Sequence, residues 1–159
     1  MTVLTAVVRA PWQGRRLSIE CLSSVPGIET DPDAISERIT LGTHAPIRVL
    51  HPVALVMAKL HAIRHFDQTE RNDEAHLRTA WLAARRWLSD LVATETPRAL
   101  RLVHQWHRSA RQTGNRRVLD RLQLDWKTLV PIDALEARRP TDPLVARFLA
   151  EHWPRLVRE

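Results

Sequence analysis

Residues 48–64 read Arg48-Val-Leu-His-Pro-Val-Ala-Leu-Val-Met-Ala-Lys-Leu-His-Ala-Ile-Arg64, and the fold turns on how this run divides. Ile47 to Leu50 is a short apolar strand, and His51-Pro52 ends it. Proline suits the first helical turn, where its missing N–H is not needed. On a helical wheel Val53, Val56, Met57, Leu60 and Ile63 share one face, and Leu55, Ala62 and Phe66 widen it almost all round. Such a helix belongs at the centre of a fold. Lys59 falls within the apolar arc. A buried ammonium must be paired or lose its charge, so Lys59 either snorkels into a structural ion pair or has a functional role.

Working outward, Arg71-Asn-Asp-Glu-Ala-His-Leu77 opens a second long helix. Upstream, Arg15-Arg-Leu-Ser-Ile-Glu-Cys-Leu-Ser-Ser-Val-Pro-Gly27 reads as a strand that follows Gly14 and stops at Pro26-Gly27. Together these features resemble the later half of the nucleotidyltransferase-fold superfamily, of the minimal nucleotidyltransferase and abortive-infection toxin type. The shared pattern is a strand, a proline-initiated helix with an internal Lys, Ala-x-Arg, and a polar turn with Asp. The likeness spans about residues 3–92. It implies an α/β (α+β) fold with a small mixed sheet, begun by an N-terminal hairpin and followed by a mainly helical half. It also implies that Glu20 occupies the strand position of a metal-site carboxylate, that Lys59 supports the active site, and that Asp73 and His76 lie beside it. The family has a second acidic position where this chain has His76.

The superfamily's defining motif is a Gly-Ser pair followed by Asp-x-Asp, which holds the nucleotide phosphates and two metals. This chain contains no Gly-Ser dipeptide, and its sole Asp-x-Asp is Asp31-Pro-Asp33, after the Glu20 strand in a turn-like context. Two-metal chemistry needs several convergent carboxylates, which one Glu cannot supply. The expectation is a partial or degenerate nucleotidyltransferase-like protein that is not catalytic alone. Mg²⁺ would enter only if another segment completed the site.

A length of 159 residues suits one domain with a helical extension, and the sequence divides loosely into residues 1–94 and a helical basic extension, 95–159. No stretch is long and apolar enough for a membrane span. The single Cys21 precludes an internal disulfide and suits a reducing, cytoplasmic setting. The net charge is +6, and 22 of the 24 basic residues are Arg. Basic and acidic residues balance everywhere except residues 96–127, where eight basic residues face only Asp120 and Asp125.

That excess forms a pattern. On a helix over 97–113, Arg98, Arg101, Arg108 and Arg111 line one side, and Arg116, Arg117 and Arg121 continue beyond Gly114-Asn115. Guanidinium groups along one edge suit a phosphate backbone. The competing reading is a solvated face paired with neighbouring acids. RNA or another polyanion is the expected partner, and a non-enzymatic binding module for nucleic acid or an acidic protein is the alternative function. A second chain completing the sheet, or an oligomer, would satisfy open strand edges.

Other elements are expected as a strand over residues 2–10, a short helix over 33–39, and helices near 73–93, 116–127, 132–137 and 143–152. Thr96-Pro97 and Asp142-Pro143 read as cap and first-turn pairs, and Gly114-Asn115 as a helix separator. His61 and His65 have zinc-ligand spacing, as do His104 and His107 more weakly, but neither pair has a third ligand nearby in sequence. Trp81 and Trp106 sit at core spacing, Trp87 at the margin of its helix, and Trp12, Trp126 and Trp153 near turns or ends.

Overall fold

A computed structural model describes residues 4–12, 15–22, 35–40, 46–69 and 71–158, with the backbone alone described for 4–12 and 15–22. The expected helix at Asp31-Pro-Asp33 therefore begins outside the described residues. The class is α+β, as the sequence implied. Strands β1 (Leu4–Trp12) and β2 (Arg15–Leu22) form an antiparallel hairpin that sets Val7 opposite Glu20 and Trp12 opposite Arg15. Strands β3 (Ser36–Ile39) and β4 (Ile47–Leu50) form a second antiparallel pair. Among the described residues the strands make two two-stranded ladders rather than one mixed sheet.

Strand β3 corrects the Ser36–Ile39 part of the short helix expected over residues 33–39. Ser36, Glu37, Arg38 and Ile39 lie opposite Leu50, Val49, Arg48 and Ile47. The His51 N–H donates to Ile35 O at 3.0 Å, which carries the ladder to the edge of the next helix. A partner strand distant in sequence has overridden a weak local helical pattern.

Helix α1 (Pro52–His65) starts where Pro52 placed it. His51 is its N-cap: Nδ1 accepts from Ala54 N–H at 3.1 Å, and the fully buried ring stacks on Trp87 at 5.2 Å. Accepting at Nδ1 leaves the ring proton on Nε2. Val53, Val56, Met57, Leu60 and Ile63 are buried, as the wheel required. Phe66 is not part of that face; it is exposed just past the helix, with the Arg71 guanidinium 5.3 Å from its ring centre.

Helix α2 (Asp73–Thr94) packs along α1, and α3 (Thr96–Ala110) returns against both. The core is one hydrophobic cluster that runs from Val53 of α1 through Trp81 and Leu88 of α2 and Trp106 of α3 to Leu149. At its centre Trp81 and Trp106 meet edge to face at 5.2 Å, and the fully buried Trp106 donates Nε1–H to Trp126 O at 2.9 Å. Both roles follow from their core spacing.

Two helix boundaries differ from expectation. Thr96 does not cap α3: its hydroxyl faces Val92 O at 2.9 Å and Asp142 Oδ2 at 2.8 Å, so one proton serves two acceptors that tie α3 to the C-terminal helices. Asp142 does cap its helix, accepting from Leu144 N–H at 3.0 Å. Helix α3 ends at Ala110, and α4 (Thr113–Arg121) already contains Gly114 and Asn115. The break falls at Arg111-Gln112. Asn115 is buried and donates Nδ2–H to Ser109 O at 2.8 Å, satisfying a carbonyl of the preceding helix end. At Gly114 the Arg64 guanidinium crosses close over the backbone and donates to Asn115 Oδ1 at 3.1 Å, so a Cβ there would displace that flexible side chain.

Beyond α4 come a 3₁₀ turn (Trp126–Leu129), α5 (Ile132–Arg138), α6 (Pro143–Arg147), a π-helical turn (Phe148–His152) and α7 (Trp153–Arg158). The last three run on without interruption past residue 152. The Trp153 N–H reaches back to Phe148 O, and Pro154, which follows, has no N–H to place. No helix among the described residues is long and apolar enough to cross a membrane.

Candidate nucleic-acid interface

The residues singled out in the sequence fall into three separate places. The first is the contact between α1 and α2. Lys59 Nζ lies 2.8 Å from Asp73 Oδ1, and Arg71 Nε lies 2.5 Å from Asp73 Oδ2. The Asp73 side chain is 3% exposed, whereas Lys59 keeps 25% of its exposure. Burial pushes the Asp73 carboxyl up, but the hydrogen bonds from Arg71 and Lys59 outweigh it and hold the group below its ordinary value. Both carboxylate oxygens are engaged by cations, which leaves little capacity for a metal. Lys59 is accordingly a snorkelling ion-pair residue in its geometry. Asp73 lies in the first turn of α2 without capping it, since Asn72 holds the N-cap position. His76 is exposed on the same helix.

Glu20 lies on β2, and nothing beyond its backbone pairing with Val7 is described. Among the described residues no group of three His, Cys, Asp or Glu side chains is placed to hold a metal ion. His61 and His65 sit with ring centres 4.2 Å apart. Burial, then the neighbouring His65 and Arg64, lower the His61 pKa.

The second place is the arginine stripe, whose members have different surroundings. Arg98 is drawn inward: it pairs with Glu37 of β3, approaches Glu95 at 3.7 Å, and sits 5.7 Å from the Trp87 ring centre. Arg121 pairs with Glu74 of α2 at 2.6 Å, and Arg116 lies 4.0 Å from Asp120 one turn on. These three fit the reading of a face paired with neighbouring acids. Arg101, Arg108 and Arg117 are exposed, and among the described residues none of them forms an ion pair. Arg111 is exposed at the end of α3.

The third place adjoins the stripe. Helix α3 is strongly two-faced, with Ala99, Leu102, Val103, Trp106 and Ala110 buried and Arg101 and Arg108 outside. His104 occupies the boundary, 5.6 Å from the Phe148 ring and 5.7 Å from His152. Burial, then His152, His107 and Arg108, lower its pKa, which favours the neutral ring near pH 7. His107 is buried, with its ring 4.9 Å from Trp126. Between α3 and α7 opens a cleft of about 800 Å³, lined by His104, His107, Arg108, Arg111, Gln112 and Leu156. A second cleft of about 530 Å³ lies on the other side of His107 and Arg111, toward α4 and the 3₁₀ turn.

Sequence reading located the arginines but not the clefts. Gln112, Trp126, Lys127 and Leu156 come from different elements, and no periodicity links them. The one local hint was the Trp126-Lys127 pair directly after Asp125, an aromatic beside a cation in the basic segment.

No protein-family model, curated protein or solved structure matches the chain.

Proposed function

We propose that this is a nucleotidyltransferase-like protein that is not catalytic alone, and that it holds an anionic partner, RNA by preference, along the outer side of α3. The observation that carries the binding part is the contrast within the stripe. Arg98 and Arg121 are taken up by Glu37 and Glu74, while Arg101 and Arg108 stay exposed without an ion pair among the described residues, and Arg108 borders an open cleft. Cations that are not neutralised internally are the ones that can release counterions from a phosphate backbone. The nucleotidyltransferase part rests on the sequence resemblance and on the proline-started α1, whose Lys59 reaches Asp73. A complete relative would move a nucleotide from NTP–Mg²⁺ to an RNA or protein hydroxyl, and here the Gly-Ser and Asp-x-Asp would have to be supplied by another segment or chain.

The alternative is a binding module without any enzymatic partner, using the same surface. Two measurements test what these readings share. Binding of a labelled RNA oligomer, titrated with NaCl, should weaken steeply and be indifferent to EDTA. Arg101→Glu with Arg108→Glu should abolish it, and Glu20→Ala should leave it intact. A nucleotide-transfer assay with NTP and Mg²⁺ on this chain should be silent. Metal-dependent transfer that Glu20→Ala removes would overturn both the inactive-alone and the binding-only readings. Binding that ignores salt or the double charge reversal would overturn the assignment of the surface.

A further inference from the structure

His61 and His65 stand about one turn apart on α1, with ring centres 4.2 Å apart and ring planes tilted by 32°. Their backbone is held from two directions. Leu60, Ala62 and Ile63, the residues around His61, are buried in the core. At the end of the helix Gln68 Nε2 donates to Ala62 O at 3.1 Å and to Phe66 O at 3.0 Å, which fixes the last turn, where His65 lies. His65 is exposed and His61 half-buried, and the exposed Phe66 ring stands edge-on to His61 at 6.4 Å. Arg64, the cation between them in sequence, reaches to α4 and donates there to Asn115 Oδ1 at 3.1 Å. The two imidazoles thus meet solvent together, and a packed helix sets their spacing.

We infer that His61 and His65 form a two-nitrogen site for a transition-metal dication that favours square coordination, Cu²⁺ or Ni²⁺, with water in the remaining positions. Such a site binds reversibly and carries no reaction, and it stands apart from the polyanion surface on α3. Side chains four residues apart on a helix are neighbours on one face, and two histidines so spaced can hold one metal ion. Metal–nitrogen bonds of about 2.0–2.1 Å put two imidazole centres about 4.5 Å apart on adjacent corners of a square, and about 5.2 Å apart on a tetrahedron. The 4.2 Å between His61 and His65 lies nearer the square. Imidazole nitrogen suits Cu²⁺, Ni²⁺ and Zn²⁺, whereas Mg²⁺ and Ca²⁺ take oxygen, and Cu²⁺ binds a given nitrogen site most tightly of these ions. His65 is the last residue of α1, where the carbonyl end of the helix dipole favours a cation. Two protein ligands fall short of the closed four-ligand cage of a structural zinc, so the ion is exchangeable.

The test titrates the full chain with the chlorides of copper(II), nickel(II), zinc(II) and magnesium, each alone, by calorimetry. Cu²⁺ should bind more tightly than Ni²⁺ or Zn²⁺, and Mg²⁺ should not compete with it. Electron paramagnetic resonance of the Cu²⁺ form should show a tetragonal ion with two nitrogen ligands. His61→Ala and His65→Ala should each weaken Cu²⁺ binding by about a hundredfold, the lower end of what a second linked contact adds. His76→Ala, which removes an exposed histidine of α2, should leave it unchanged. Because His61 is half-buried and its removal can disturb α1, the wild-type chain also locates the ion by amide nuclear magnetic resonance. A substoichiometric amount of Cu²⁺ should broaden the signals of residues 61–66 first. Cu²⁺ binding as tight in His65→Ala as in the wild type, broadening that spares residues 61–66, or a spectrum with a single nitrogen ligand would each overturn the site.

Discussion

Lys59 Nζ lies 2.8 Å from Asp73 Oδ1 across the contact between α1 and α2, where Asp73 opens α2. The pair, with Arg71 on the other oxygen, neutralises the sole buried carboxylate among the described residues. Breaking a buried pair costs more than the pair contributes, because the remaining charge stays desolvated. Asp73→Ala should destabilise the protein by no more than about 3 kcal/mol, the lower end for such pairs, because Lys59 and Arg71 both keep water contact once the carboxylate is gone. Lys59→Met combined with Asp73→Leu should cost clearly less than the single change. Urea unfolding of the three variants decides this. A double variant as damaged as Asp73→Ala would mean that the charges do more than neutralise each other.

The same carboxylate predicts acid lability. Its pKa in the folded chain is held below the unfolded value by Arg71 and Lys59 against the upward push of burial. A group depressed on folding contributes stability that is fully present above its unfolded pKa and is lost as pH falls through the folded one. Asp142, lowered chiefly by its hydrogen bond with Thr96, acts in the same direction. Stability measured by urea should be flat in these contributions from neutral pH to the ordinary carboxylate range and decline below it. Asp73→Ala should flatten part of that decline. An unchanged acid profile in the variant would show that the pair is not what fails in acid.

Helix-starting chemistry was the most legible feature of this sequence. Pro52 and the Asp142-Pro143 pair mark real starts, and the apolar periodicities of α1, α2 and α3 named Leu60, Trp81 and Trp106 as core residues before any coordinates. What escaped was whatever depends on partners distant in sequence. Ser36–Ile39 became a strand because β4 lies beside it. Gly114 looked like a helix terminator, yet it lies inside α4, with the Arg64 side chain of α1 passing close over it. Arg98 has the same spacing as Arg101 and Arg108, but Glu37 and Trp87 turn it inward. A one-dimensional stripe cannot distinguish a guanidinium that is taken up from one that is not, and the clefts depend on that difference.

Arg98 and Arg101, one helical turn apart, should therefore fail in different ways. Arg98→Glu places a carboxylate against Glu37 and Glu95 and should lower the melting temperature, with only a small change in polyanion affinity. Arg101→Glu should leave the melting temperature nearly unchanged and weaken binding. For a single-stranded ligand the slope of log affinity against log salt should fall by about 0.7 for each lost phosphate contact. Thermal melts and salt titrations of both variants provide the comparison. Equal losses of affinity from both would mean that Arg98 leaves Glu37 to join the interface.

His104 gives the binding surface a pH dependence with a definite sign. Burial lowers its pKa first, and the neighbouring His152, His107 and Arg108 lower it further, which favours the uncharged ring at neutral pH. Phe148, packed edge-on at 5.6 Å, offers no charge to oppose this. An anion seated in the adjacent cleft supplies the missing counter-charge and raises the pKa of the ring. Linkage then requires that a proton be taken up on binding, so affinity rises as pH falls through the imidazole range. The isolated protein moves the other way, since protonation of a depressed histidine favours the unfolded chain. Oligonucleotide affinity measured from pH 8 to pH 5 at constant ionic strength should increase several-fold in the wild type, and His104→Asn should remove most of the increase. A flat wild-type profile, or an unaltered one in His104→Asn, would place the bound phosphate away from the cleft that His104 lines.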